Sequence, residues 1–287
     1  MEISRFTQLS DFINRGEIIT TDGYLRHCQS SDRVTYVKRD FLFSGGMWRG
    51  VEQKSFLISR LHGSPQRTIV VGHSDIPTKA KHQILLAAIG INQIFGINLR
   101  PIKNLSSALP LGLTNYCDDS GLHRIIGDLE NLRVADQCSD FCEAFSPNYF
   151  ASFNVATNNK ARSQVVKVLN SLSSPSKVVF SDVSYDKNSL ISYLKNLRSF
   201  PFVICPEGNG FDTHRLWETL YMGGIPVIKK NDYLSEITRN LPVVILNEWD
   251  ELNNVDLMHI NWLRIQNSIW DFNNLKLSFW NNLISSS

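Results

Sequence analysis

Arg215 and Glu218 are the side chains with the clearest chemical use. They sit three positions apart within residues 202–230, FVICPEGNGFDTHRLWETLYMGGIPVIKK, a spacing that makes them neighbours on one surface of a helix. An arginine's planar fork suits a diphosphate. A glutamate one turn further on is placed to accept hydrogen bonds from ribose hydroxyls. Diphosphate plus ribose is the part that most nucleotide-sugars share. The same pair could instead be a surface ion pair behind an ordinary turn.

Those residues need a frame, and the flanking sequence supplies one. Phe202, Val203, Ile204 and Cys205 form a short apolar run that reads as a buried strand. Pro206-Glu207-Gly208-Asn209-Gly210 follows as a turn of residues that fix φ or free it. Asp212 or Thr213 can cap a helix running to about Met222, where Gly223-Gly224 stops it. Ile225-Pro226-Val227-Ile228 is the next strand. A loop with glycines thus delivers the chain to a helix N-terminus, where N–H groups and the helix dipole suit a phosphate.

The segment PEGNGFDTHRLWETLYMGGIPVI resembles the signature of exostosin-like glycosyltransferases, most nearly the ribitol xylosyltransferase type. Nearly every fixed position of a Pro-x-Gly-Asn-Gly-x-Asp-Thr-His-Arg-x-Trp-Glu-x-Leu-x-x-Gly-x-Ile-Pro pattern is matched, and the likeness extends over residues 149–246. The resemblance implies an α/β chain of the GT-B type, two Rossmann-like domains facing a central cleft. The nucleotide-sugar would lie in the C-terminal one. It also implies inverting, metal-independent transfer to a glycan or polyol-phosphate acceptor, with UDP-xylose as the first donor to try. No cofactor is expected beyond the donor itself.

In open α/β sheets ligands gather beyond the C-terminal strand ends, and four such ends carry suitable groups. After Val155, Thr157 and Asn158 precede Lys160 and Arg162; the family pattern supports Arg162 as a diphosphate contact, against a solvated cation at a helix start. In the loop from Glu207 to Arg215, Asn209, Gly210, Asp212 and Thr213 would meet the donor. Asn209 and Asp212 would reach sugar hydroxyls unless Asp212 is simply an N-cap, and His214 would touch phosphate or only pack. At 72–75, His73 and Asp75 are the best-placed pair for the general base that inverting transfer needs, or a turn residue and an N-cap. Asp118 and Asp119 are rivals for that role, and two adjacent carboxylates could hold a cation; no metal is expected, because no further ligands accompany them.

Composition sets the outer limits. The chain has 287 residues, 43% hydrophobic and 10% aromatic, which suffices for two modest α/β domains. The alternation of strand and helix argues for open parallel sheets. Ser146-Pro147-Asn148 marks the expected boundary, giving an acceptor-side domain at 1–147 and a donor domain at 148–287, with terminal helices able to pack back on the first. A net charge of +2 without a basic tract gives no case for nucleic acid. Five cysteines, odd in number and without a CxxC pair, fit reduced thiols. There is no apolar leader and no membrane-length apolar run. A cytoplasmic bacterial or viral enzyme is therefore expected, or a Golgi-lumenal one trimmed of its anchor.

Element by element, helices are expected at 6–13, 47–61, 79–89, 160–172 and 187–197, and a short helix or loop at each of 123–132 and 136–145. Strands are expected at 36–43, 68–72, 94–97, 149–155, 177–180 and 243–246. Trp262, Ile265, Ile269 and Trp270 share a helical spacing that reads as packing. Two other functions compete: a degenerate nucleotide-sugar-binding module without transfer, and a sugar-nucleotide hydrolase or epimerase. A dehydrogenase is disfavoured, since Gly208-x-Gly210 lacks the third glycine and Ile228, Lys229 and Lys230 stand where a ribose-binding acid belongs.

Overall fold

Runs of β-branched and apolar residues become strands of two parallel sheets in a computed structural model. The model describes residues 9–38, 67–73, 75–138, 140–173, 176–180 and 186–286. The first sheet has the order β1 (Val34–Lys38), β2 (Thr68–Gly72), β3 (Gln93–Ile97), β4 (Ser106–Leu109). The second contains β5 (Asn148–Ala151), β6 (Lys177–Phe180), β7 (Phe202–Ile204), β8 (Pro226–Lys229) and β9 (Val244–Leu246), ordered β6-β5-β7-β8-β9. Helices flank both sheets, so the fold is α/β. β2 and β7 are buried along their whole length, as strands covered on both faces must be.

The order of the second sheet fixes where a ligand belongs. The chain starts at β5, steps to β6 on one side, then returns to pair β7 on the other side of β5. Beyond the strand ends at such a reversal the two following loops diverge and leave a crevice.

Several expectations change. The Thr21–Gln29 helix and β4 were not anticipated; β4 is Ser-Ser-Ala-Leu, too small and polar to read as a strand. It forms because long-range partners complete it: Ala108 N–H donates to Glu236 Oε1 at 3.2 Å across its open edge. The strand expected at 149–155 ends at Ala151, because Asn154 caps a 3₁₀ turn, Val155–Asn158, by accepting from Ala156 N–H. No helix covers 140–147. There Cys142 N–H donates to Arg198 O and Phe145 packs on Phe202, which ties that stretch down in an irregular form. The Val255–Asn267 helix buries Trp262 and Ile265, but it ends before Ile269, which is fully exposed, and Trp270. The expected strand beyond Lys38, the helix at 47–61 and the start of the first helix lie outside the described residues.

One apolar cluster runs through both sheets, joining Val70 and Phe95 to Phe150, Val203, Trp217 and Tyr233. A row of hydrogen bonds crosses the same junction. Leu111 N–H donates to Asp212 Oδ2 at 2.8 Å, Tyr233 Oη to Leu109 O at 2.6 Å, His214 Nδ1 to Gly112 O at 2.8 Å, and Asp212 N–H to Asn98 Oδ1 at 2.9 Å. The Leu277–Ser285 helix returns to the Thr21–Gln29 helix, where a Cβ on Gly23 would stand 2.7 Å from Leu277 Cδ2. Among the described residues no helix is long and apolar enough to cross a membrane.

Candidate functional site

A cavity of about 250 Å³ opens at the β5/β7 reversal. Ser152 and Thr157 reach it from the loop after β5, Gly208–Gly210 from the loop after β7, and Asp75 and Thr114 from the loops of the first sheet. The loop after β7 runs into the His214–Tyr221 helix, so Arg215 and Glu218 both face the cavity. Gly210 is dictated by contact rather than by φ: a Cβ there would lie 2.4 Å from Asp75 O and 2.5 Å from Asn98 Cγ. This close approach lets the two walls meet.

Two arginines dominate the electrostatics. Arg162 is 5% exposed, and it is aimed by backbone carbonyls: Nε donates to Glu207 O at 2.9 Å and Nη1 to Asn154 O at 2.6 Å. Its Cζ lies 5.7 Å from the Phe153 ring centroid, and Arg215 Cζ lies 5.8 Å from the same centroid. Burial and the neighbouring Arg215 charge bring Arg162 down to about 10, which still leaves it cationic at neutral pH. Arg215 Nε is buried without a hydrogen-bond partner. Neither arginine has an ion pair among the described residues. Leaving a buried donor unmade costs about 1–3 kcal/mol, so the site is arranged for an anion.

One turn along, Glu218 Oε2 accepts from Tyr193 Oη at 2.6 Å. Burial and the Glu218 charge hold the Tyr193 hydroxyl well above its usual range, so it remains a donor and fixes that carboxylate. Glu218 Oε1 has no hydrogen bond among the described residues. A fixed carboxylate with one oxygen open suits a pair of vicinal hydroxyls.

The remaining sequence-predicted residues divide. Thr157, Asn209, Gly210, Asp212, Thr213, His214 and Asp75 line the cavity. His214 carries its proton on Nδ1, since Gly112 O can only accept, which in the neutral ring leaves Nε2 as an acceptor. Asn158 is structural: Oδ1 caps the Asn159–Ser171 helix at Ala161 N–H and Nδ2 donates to Gly208 O at 2.8 Å. Glu207 gives its carbonyl to Arg162 and its charge favours that cation, and it lines a different cavity. Asp118 and Asp119 are exposed and do not line the site.

His73 is not in the cavity wall either. It has φ of 53°, and both ring nitrogens are engaged, Nδ1 with Tyr36 Oη at 2.5 Å and Nε2 with Asp22 Oδ1 at 2.9 Å. Of the pair expected to supply a base, only Asp75 faces the site. Tyr193, Ser189 and Leu190, on the Lys187–Ser199 helix, line the site without having been anticipated. An alternating apolar-polar helix gives no sign of which neighbour it will face.

Asp212 differs from its neighbours. It is neither an N-cap nor open to ligand, because its oxygens already accept from Leu111 N–H, Thr213 N–H and Trp217 Nε1. Thr213 occupies the N-cap position. Burial pushes the Asp212 carboxyl from 3.8 up to about 6, against the pull of those donors. The folded chain then takes up a proton that the unfolded chain releases, so this group's contribution falls as pH rises from about 4 to about 6. The full span is worth about 3 kcal/mol. Urea titrations of wild type and Asp212→Asn should therefore show wild type losing ground to the variant across that window, with a constant gap above it. A gap that instead widened with rising pH would refute the assignment.

No known family model matches the chain, and no curated protein matches it.

Proposed function

We propose that the chain is a glycosyltransferase using a nucleoside-diphosphate sugar, of the exostosin-like, GT-B kind. The observation that carries this reading is the Arg162–Arg215 pair against Phe153, neither in an ion pair among the described residues, with the Tyr193-held Glu218 one helical turn away. Diphosphate between the arginines and ribose on Glu218 account for both at once. Arg162 and the first turn of the His214–Tyr221 helix would take the charge that develops on the departing diphosphate.

Asp75 stands on the opposite wall. In an inverting displacement its carboxylate takes the acceptor hydroxyl proton as that oxygen bonds to the anomeric carbon. The bond from the anomeric carbon to the diphosphate oxygen breaks, and its electron pair leaves with the nucleotide. Asn209 and His214 Nε2 are placed to meet hydroxyls of the transferred sugar.

A thermal-shift panel of UDP-, GDP-, CMP- and dTDP-sugars tests the reading. A cognate donor at about 100 times its dissociation constant adds about 2.7 kcal/mol of stability, a rise of several degrees. UDP-sugars are expected to give that rise, with UDP-xylose tried first. The absence of a shift with any nucleotide at millimolar concentration would overturn the reading.

A further inference from the structure

A second cavity, of about 230 Å³, opens on the reverse of the glycine loop. The loop is a shared partition: Gly208, Asn209 and Gly210 face the first cavity, while Pro206, Glu207 and Phe211 face the second. Cations reach it from both sheets. Arg100 follows β3, and Lys229 and Lys230 end β8. Arg100 Cζ lies 5.2 Å over the Phe211 ring centroid, and neither Arg100 nor Lys230 has an ion pair among the described residues. Lys229 pairs with Glu248 at 2.6 Å. Glu207 is the one carboxylate in the lining, and the Cys205 thiol there is neutral, pushed up to about 12 by burial.

Three cations and one carboxylate thus line the cavity, and only Lys229 is already paired, with Glu248. Like charges drawn together from two sheets repel unless an anion lies among them. A guanidinium held over the Phe211 ring and the Lys230 ammonium, both lining one cavity and neither in an ion pair, supply donors that a phosphoryl oxyanion can use. With Lys229 neutralised by Glu248, Arg100 and Lys230 against Glu207 leave an excess of one positive charge, which favours an anionic occupant. We propose that this cavity is a second anion site that takes a phosphoryl group, separate from the arginine pair of the first cavity and not dependent on what that pair binds.

The test uses the full chain carrying Arg215→Ala, which removes one of the two competing arginines from the first cavity and leaves Arg162 in every arm. Inorganic phosphate is titrated calorimetrically at neutral pH, then a hexose 1-phosphate, in that background and with Arg100→Ala and Lys230→Ala added singly and together. Millimolar binding of phosphate is expected in the Arg215→Ala chain, weakened about tenfold by either further substitution and lost in both. Tighter binding of the sugar phosphate assigns the site to a carried phosphoryl group, and equal binding to free phosphate. The proposal is overturned if phosphate binding vanishes with Arg215→Ala alone, or if it is unchanged when Arg100 and Lys230 are both replaced. Melting curves of the variants establish that they are folded; Arg100 and Lys230 are exposed and Arg215 is half-buried. Failure here leaves the nucleotide-sugar reading untouched, since that is tested by UDP-sugars on the wild type.

Discussion

Arg215→Ala is expected to weaken UDP binding by about 30- to 1000-fold and, at the same time, to raise the melting temperature of the ligand-free protein. The loss follows from removing a desolvated cation opposite a diphosphate, worth about 2–4 kcal/mol. The gain follows from the free state. Arg215 Nε is buried without a partner, and its charge stands beside that of Arg162 over one aromatic ring. Deleting it relieves both, by about 1 kcal/mol or more. A merely structural arginine would instead lower the stability of the ligand-free protein and leave the affinity of the folded fraction unchanged. Arg215→Lys should restore part of the affinity only, because an ammonium cannot bridge two phosphate oxygens as a planar fork does. Calorimetry with UDP and scanning calorimetry without it decide the matter; a drop in apo stability together with unchanged UDP affinity would sink the assignment.

Asp75→Asn is expected to lower the transfer rate by about 10²- to 10⁴-fold, the usual contribution of a general base, while UDP affinity stays within about twofold. The split arises because Asp75 belongs to the first sheet's wall and the residues proposed to hold diphosphate and ribose, Arg162, Arg215 and Glu218, belong to the second. Loss confined to the rate at saturating donor marks an interaction made in the transition state. Equal loss of binding and rate would instead make Asp75 a donor contact. His73→Gln provides the contrast. Its ring is tied between Tyr36 and Asp22 behind the wall, so its replacement acts through the position of Asp75 rather than by removing a base.

The second half of the chain was largely legible because its signals are local. The unit from β7 to β8 could be read in order, and the loop residues that follow β5 and β7 do meet at one cavity, Arg162 with Arg215 and Glu218 included. What escaped depends on partners far away in sequence. β4 needs Glu236 to complete its edge. The His73 ring is turned by Asp22 and Tyr36, 51 and 37 residues distant. Asp212 looked like a cap or a sugar contact, and its real partner, Leu111, is 101 residues away. Tyr193 shares the cavity with Glu218 only because two helices of the second half pack side by side. Periodicity tells which face of a helix is apolar; it does not tell which polar residue will border a crevice.

The hydrogen bonds that join Leu109, Leu111 and Gly112 to Tyr233, Asp212 and His214 bear on how a ligand comes and goes. Swinging the two walls apart would strand buried N–H and C=O groups at about 1–3 kcal/mol each, so the jaws are welded near their root. Traffic must pass through the rim instead, where Asp75 and Asn209 are exposed. Under the proposed function, substrates would cross a fixed sill, and the speed of each cycle would be governed by how firmly the spent nucleotide clings rather than by how fast the protein gapes.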